Sequence, residues 1–97
     1  MRRGEVWRVE FDPAVIVSND AANRHLARVA AAPLTSNTGR VYPGEAVVEI
    51  GSQSSKTMAD QIMAADKARL KSRLGTLSST DMLAVEEAVK IHLALPL

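Results

Sequence analysis

Three polar residues, Thr35, Ser36 and Asn37, are the first candidates for chemistry in this sequence. They directly follow the apolar segment Ala32-Pro33-Leu34, which ends a predicted strand. Hydroxyl and amide side chains at a strand end are ordinary turn formers. Held by a rigid strand, the hydroxyls of Thr35 and Ser36 can instead donate hydrogen bonds to an anionic group such as a phosphate. The pattern alone leaves both interpretations open.

Other common forms of site chemistry find no support in the sequence. The chain has no cysteine, which removes disulfides, thiolate nucleophiles and cysteine-ligated metals. Its two histidines, His25 and His92, have no second ligand at a recognisable metal-binding spacing. No GxGxxG, P-loop or GxSxG motif is present. We therefore expect a protein with no metal site and no cofactor.

The composition predicts one small domain over residues 1–97, with an aliphatic core. Hydrophobic residues make up 46% of the chain, but only 3% of the residues are aromatic. A net charge of +1 neither implies nor excludes a nucleic-acid partner. No apolar run approaches the ~20 residues needed to span a bilayer, and the basic N-terminus lacks the apolar segment of a signal peptide. We expect a cytoplasmic protein that does not enter a membrane.

Strand patterns fill the first two thirds of the chain, and turn signals separate them. The predicted strands cover residues 5–11, 14–17, 27–34, 45–50 and 73–77, with a weaker candidate at 56–62 and one helical turn at 66–70. The last segment predicts a helix that begins after the N-cap residue Ser78 and ends at Pro96. The expected fold is mainly β with α, a strongly bent antiparallel sheet or small barrel with a C-terminal helix. The second apolar stripe of this helix, which includes Ile91 and Leu95, fits either a partner such as a second copy or a helix packed on the sheet.

The junction between the first two predicted strands is poorly suited to a chain reversal. In residues 5–11 the side chains of Trp7, Val9 and Phe11 fall on one face, and only Asp12-Pro13 separates this strand from the next. A two-residue hairpin needs φ > 0 at its first central residue. Asp12 precedes a proline and Pro13 is fixed near φ of about −65°. Either one long strand runs through Pro13, or residues that join two strands are absent from the 97-residue sequence.

Taken in order, these segments resemble the MazF/PemK/Kid family of toxins from bacterial toxin–antitoxin pairs. The matching segments are Arg3 to Trp7, Val9 to Asp12, Pro13 to Asp20, Pro33 to Asn37, Tyr42-Pro43, Ala59 to Ile62 and Asp66 to Leu70. The resemblance implies an SH3-like barrel, a homodimer, and a metal-independent, sequence-specific endoribonuclease that cleaves single-stranded mRNA. In such enzymes the RNA 2′-OH attacks the adjacent phosphate, giving a 2′,3′-cyclic phosphate and a 5′-OH.

The resemblance also implies roles for individual residues. Thr35 becomes the hydroxyl that stabilises the phosphate, with Ser36 beside it as a second catalytic candidate. Asp60 and Gln61 become readers of the RNA bases, and Asn37 a weaker one. The implied partners are mRNA and a MazE-like antitoxin, whose flexible acidic segment would lie across the RNA groove.

The chain departs from the family pattern at the Asp12-Pro13 junction. Similar toxins carry a loop here that ends in an arginine directly before the proline, and this arginine is the acid–base and phosphate-binding partner of the threonine. We interpret the junction as an omitted loop between residues 12 and 13 rather than a genuine deletion. Nothing in the sequence places a substitute beside Thr35, although three arginines are available: Arg24, Arg28 and Arg40. Met63 also replaces the arginine that usually follows Gln-Ile.

Two other functions stay open from the sequence. One is a non-enzymatic toxin of the same fold that binds DNA gyrase, like CcdB. Those proteins use an aromatic C-terminal end, whereas this chain ends Ala94-Leu95-Pro96-Leu97. The other is a catalytically inactive remnant that binds RNA or antitoxin, which a genuine loop deletion would favour.

Overall fold

Seven strands and two α-helices follow one another along residues 1–96, the part of the chain that the computed structural model describes. The strands are β1 (Glu5–Val9), β2 (Asp12–Ile16), β3 (Arg28–Thr35), β4 (Glu45–Ile50), β5 (Gln53–Met58), β6 (Met63–Asp66) and β7 (Leu70–Thr76). The helices are α1 (Asp20–His25) and α2 (Ser79–His92), and single 3₁₀ turns lie at Ala59–Gln61 and Lys67–Arg69. Leu97 lies outside the described residues. Among the described helices, none is both long enough and apolar enough to cross a membrane.

The strands form one antiparallel sheet in the order β4-β5-β3-β2-β1-β7, with β6 also paired to β3. Strand β3 exchanges partners along its length. It pairs with β6 through Arg28–Ala31, with β2 through residues 31–33, and with β5 through Leu34 and Thr35. This exchange accompanies the curl of the sheet into a half-barrel. The predicted fold, a bent antiparallel sheet with a C-terminal helix, is confirmed.

Two apolar clusters stabilise the sheet, one on each face. The inner cluster lies between the sheet and α2 and contains Val6, Val15, Ala32, Leu34, Ala46, Val48, Ala59, Leu77, Val85 and Ala88. The outer cluster contains Val9, Ala14, Ile16, Val29, Ala31, Ala65 and Leu70, with Trp7 and Met63 packed against it. Successive residues of a strand point to opposite faces, so β1 sends Val6 into the inner cluster and Val9 into the outer one.

Helix α2 begins where the sequence predicts. The hydroxyl oxygen of Ser78 accepts a hydrogen bond from the N–H of Asp81 at 3.1 Å, which satisfies one of the free N–H groups of the first turn. Val85 and Ala88 are buried against the sheet, whereas Ile91 and Leu95 of the second stripe are exposed. The helix ends at His92 rather than at Pro96.

The first strand is shorter than predicted. It ends at Val9, and Glu10 and Phe11 reverse the chain, with Val9 paired to Asp12. Glu10 has φ of 60°, the positive value that the first central residue of a two-residue hairpin requires. Phe11, predicted to share a strand face with Trp7 and Val9, lies in this turn instead, and its side chain is 85% exposed. Asp12 and Pro13 belong to strand β2 instead of forming a connection.

Candidate functional site

A groove of about 530 Å³ opens on the surface where the ends of β3, β4 and β5 approach the β1–β2 hairpin. Its lining residues are Arg8, Asp12, Pro13, Leu34, Thr35, Ser36, Ile50, Gln53, Ser55 and Leu74. The groove therefore combines apolar surface from aliphatic side chains and proline with hydroxyl, amide and charged groups. We call this feature the Thr35 groove.

Thr35 is held at the last position of β3, where its backbone pairs with Lys56 of β5. Its hydroxyl oxygen accepts a hydrogen bond from the N–H of Asn37 at 3.2 Å. A hydroxyl has one proton to donate and two lone pairs, so this contact leaves the Thr35 proton available for an anion in the groove. Ser36 follows on the exposed side of the same groove.

The predicted base-reading residues lie elsewhere. The side-chain oxygen of Asn37 accepts a hydrogen bond from the N–H of Gly39 at 3.2 Å, the turn-forming contact typical of asparagine. Asp60 and Gln61 are exposed in the 3₁₀ turn after β5. Asp60 lines a separate cavity of about 330 Å³ with Tyr42 and His92 among its neighbours. Of the five predicted site residues, the structure brings Thr35 and Ser36 together in the groove; Asn37, Asp60 and Gln61 are not among its described lining residues.

Arg8 of β1 is the arginine that lies in the Thr35 groove, and the sequence did not single it out. It pairs with Pro13 of β2, its side chain is exposed, and its Nη1 donates to the carbonyl oxygen of Phe11 at 3.3 Å. Two predicted substitutes are engaged elsewhere. Arg28 pairs with Asp66 at 2.8 Å, and the Arg40 guanidinium carbon lies 5.6 Å from the centre of the Tyr42 ring. The available signal for Arg8 is the alternation of β1, which places it on the same face as Val6.

A largely buried ion pair supports the loop that follows Thr35. The Lys56 ammonium lies 3.3 Å from Oε1 of Glu45 and donates to the carbonyl oxygen of Arg40 at 2.7 Å. Glu45 Oε1 also accepts the N–H of Tyr42 at 2.8 Å. This N–H, together with Lys56, lowers the pKa of the Glu45 carboxyl against the opposing effect of desolvation. Because Lys56 pairs with Thr35 through the backbone, the same residue connects the groove to residues 36–44.

No metal-ligand cluster accompanies these groups: within residues 1–96 there is no set of three or more His, Asp or Glu side chains placed to hold a metal ion. The groove itself presents hydroxyl, amide, guanidinium and carboxylate groups. Of these, the hydroxyl, amide and guanidinium groups can donate hydrogen bonds to an anionic ligand and orient it.

Together, the curled sheet and the C-terminal helix form a small β-protein whose strand ends carry an open groove with hydroxyl groups. Residues 2–93 match the family described as the PemK-like, MazF-like toxins of type II toxin–antitoxin systems. The chain belongs to this family, and the resemblance predicted from the sequence is confirmed.

Individual relatives resemble the chain over its length. It is 34% identical over 115 aligned residues to Endoribonuclease MazF9 of Mycobacterium tuberculosis, with 98% of each chain covered. A solved endoribonuclease from a mycobacterial species has a TM-score of 0.92 and 33% identity, covering 100% of this chain and 94% of its own. An endoribonuclease from a mycobacterial species in complex with its cognate antitoxin has a TM-score of 0.90 and 32% identity, covering 100% and 98%.

Proposed function

We propose that this chain is the toxin of a type II toxin–antitoxin pair and acts as a sequence-specific endoribonuclease on single-stranded mRNA. The observation that carries this proposal is the position of Thr35. Its hydroxyl sits at a strand end in an open groove, and its oxygen already accepts the Asn37 N–H, so its proton is free for a phosphate. The MazF endoribonucleases among its relatives support the same activity.

The proposed reaction uses a nucleophile that the RNA itself supplies. The 2′-oxygen forms a bond to the adjacent phosphorus as it loses its proton. The bond from phosphorus to the 5′-oxygen breaks, and the leaving oxygen takes up a proton. The products are a 2′,3′-cyclic phosphate and a 5′-OH. Thr35, with Ser36 beside it, stabilises the charge that develops on the phosphate oxygens, and the groove holds the strand in a reactive geometry.

The proposal extends to the assembly and its regulation. We place the activity in the cytoplasm of the cell, where mRNA is found, and assign the toxin a homodimeric state. A MazE-like antitoxin segment neutralises it by covering the groove. A solved complex of a related endoribonuclease with its cognate antitoxin supports this pairing.

A loop between residues 12 and 13 is part of the proposal. The alignment with MazF9 runs over 115 positions, more than the 97 residues of this chain, so the relative has residues that this chain lacks. Just before the junction, Glu10 adopts a left-handed φ of 60°, which is unfavourable for a residue with a side chain, and Phe11 is exposed. Asp12 and Pro13 line the groove with Thr35. An arginine placed directly before Pro13 by such a loop would therefore act on the same phosphate.

Cleavage of a long single-stranded RNA in the presence of EDTA tests the activity. We expect fragments that end in a cyclic phosphate at one short recurring sequence. Thr35→Val removes the hydroxyl at nearly constant shape and should reduce cleavage by about 10²-fold. Thr35→Ser keeps a hydroxyl and serves as the matched control. Intact RNA with the unaltered protein, or equal activity of the valine variant, contradicts the proposal.

A binding-only role is the second candidate, favoured by Asp12 at the position where the family pattern has an arginine. In that case the unaltered chain binds RNA or antitoxin without cleaving RNA, and Thr35→Val leaves binding unchanged. The mass of the protein isolated intact from its own cells separates the two explanations of the junction. A mass above that of 97 residues by roughly ten residues or more indicates a loop of ordinary functional length.

A further inference from the structure

We propose that Arg8 is a second phosphate-binding position in the Thr35 groove, holding the RNA phosphate that neighbours the one at Thr35. This inference rests on the proposed ribonuclease function. It does not depend on the loop between residues 12 and 13, because Arg8 belongs to strand β1 and its position is fixed by the sheet.

The strand register places Arg8 across the groove from Thr35. Arg8 is paired with Pro13. The pairing of Ala14 with Pro33 in the next ladder puts Pro13 beside Leu34, the residue before Thr35. Neighbouring strands lie about 4.8 Å apart, so the backbones of Arg8 and Thr35 are separated by two strand spacings, about 10 Å. By alternation Arg8 shares the inner face with Leu34, whereas Thr35 is the next residue, at the strand end, where it also lines the groove. Because both residues line this groove, they can contact successive parts of one RNA strand.

Arg8 also lies on the inner face of the sheet, which is unusual for a surface arginine. Residues two apart in a strand share a face, and Val6 on this face is fully buried in the inner cluster. Leu34, the neighbour of Pro13 in the same row, is 5% exposed. The guanidinium thus lies at the rim of the inner, apolar face and not on the outer surface of the sheet. A charged group at such a rim is well placed to meet a ligand that enters the groove.

The guanidinium is not occupied by a carboxylate. Arg3, Arg28, Arg69 and Arg73 each form an ion pair with an Asp or Glu side chain. Arg8 takes part in none of the ion pairs found in residues 1–96, and its hydrogen bond to the Phe11 carbonyl uses one of five N–H donors. The planar fork that remains matches the geometry of a phosphate.

Asp12 should affect RNA binding in the direction opposite to Arg8. Its carboxylate lines the same groove, where it repels a phosphate and offsets part of the attraction of Arg8. Neutralising Arg8 should therefore weaken RNA binding, and neutralising Asp12 should strengthen it. If both residues were only solvated surface groups, neither substitution would change RNA binding.

Binding of an unreactive RNA as a function of salt tests the inference. The probe is a short fluorescent RNA that contains the mapped cleavage sequence, with a 2′-deoxy nucleotide in place of the attacking one. Fluorescence anisotropy gives its affinity for the 97-residue chain at several salt concentrations. We expect Arg8→Gln to weaken binding about tenfold and to reduce the slope of log affinity against log salt by about 0.7.

Three further variants separate the effect of charge from the effect of guanidinium geometry and from a general loss of positive charge. Arg8→Lys should keep the salt slope but recover only part of the affinity, because lysine lacks the planar fork. Asp12→Asn should tighten binding. Arg28→Gln removes an exposed arginine that pairs with Asp66 outside the groove, and it should leave both affinity and slope unchanged.

The outcomes distinguish this inference from the proposed function. An unchanged slope in Arg8→Gln overturns the role of Arg8, while cleavage by the unaltered chain leaves the proposed function in place. Failure of the unaltered chain to bind the probe also overturns the role of Arg8, whereas the mapped cleavage leaves the proposed function in place. Arg8→Gln is used only if it still unfolds cooperatively in urea. If it does not, the RNA affinities of Arg8→Lys and Asp12→Asn test the inference instead. Affinities of both variants equal to that of the unaltered chain overturn the inference.

Discussion

The ammonium of Lys56 lies 3.3 Å from Oε1 of Glu45 and, at the same time, donates to the carbonyl oxygen of Arg40 at 2.7 Å. Only 8% of Lys56 is exposed. One side chain of β5 therefore fixes both the start of β4 and the middle of the loop that leaves Thr35. The loop beside the groove is thus held in part by a charged contact.

Replacing Lys56 with methionine should destabilise the protein. The substitution keeps the aliphatic length but leaves the Arg40 carbonyl without its charged donor, which costs about 1.5–3 kcal/mol. We expect a lower urea midpoint with an unchanged m-value. Lys71→Met, at an exposed position of β7, is the control and should have a smaller effect. Equal midpoints for the two variants would contradict the role assigned to Lys56.

Two glutamates make the stability depend on acid pH. Burial raises the pKa of Glu5, but hydrogen bonds from Trp7, the Arg2 N–H and Arg73 outweigh it and lower the pKa below 4.5. The pKa of Glu45 is lowered as well. Such carboxyls bind protons more readily in the unfolded chain, so their contribution is present above the unfolded pKa and is lost as the pH falls through the folded one.

We therefore expect the free energy of unfolding to fall as the pH drops below about 4.5, the ordinary value for glutamate. Glu5→Gln should be less stable than the unaltered chain at pH 7. Its free energy of unfolding should also fall less steeply as the pH decreases. The two proteins should converge at low pH, where Glu5 is protonated in both states. Urea unfolding at a series of pH values measures the free energy of unfolding of both proteins. The same decrease with falling pH in both proteins would contradict the role assigned to Glu5.

The β1–β2 hairpin contains a strained residue that can be relieved. Glu10 has a φ of 60°, which costs an ordinary residue about 1 kcal/mol or more relative to glycine. Glu10→Gly loses the exposed ion pair with Arg69, and so does Glu10→Gln. We expect the glycine variant of the 97-residue chain to be about 1 kcal/mol more stable than the glutamine variant. A glycine variant that is the less stable of the two would show that the hairpin does not form at Glu10.

A fourth prediction concerns the contribution of the N-cap of α2 to stability. Ser78 accepts the N–H of Asp81 at 3.1 Å, and Asp81 in turn accepts the N–H of Glu49 in β4 at 2.9 Å. Ser78→Ala should cost about 1 kcal/mol. Ser79→Ala, one residue further into the helix, should change the stability by less than about 0.5 kcal/mol. Thermal unfolding of the two variants compares the capping serine with its exposed neighbour inside the helix.

Local patterns predicted the elements that local forces determine. Strand β4 spans residues 45–50 as expected, because its β-branched residues stand between Gly44 and Gly51. Helix α2 starts after its serine cap. Helix α1 was missed, since its six residues are too few for an apolar repeat and its cap, Asn19, looks like part of a turn.

Elements that depend on distant partners were harder to predict. Strand β6 contains Ala64 and Ala65 and no β-branched residue, yet it forms through its register with β3. Arg8 was missed for a related reason. Alternation in β1 places it opposite Trp7, but only the curl of the whole sheet turns that face into the wall of a groove. The position of Thr35 and Ser36 at a strand end was predicted because a strand end is a local feature. Their catalytic role came from the family resemblance and stays a prediction.

Strand β3 pairs with β2, β5 and β6 along its eight residues, and Thr35 is its last residue. The hydroxyl is thus attached to the segment whose backbone has the most interstrand partners. Its orientation is set when the chain folds, so little conformational entropy remains to be lost when a ligand arrives. Amide hydrogen exchange along β3 should accordingly report global unfolding, even next to the groove.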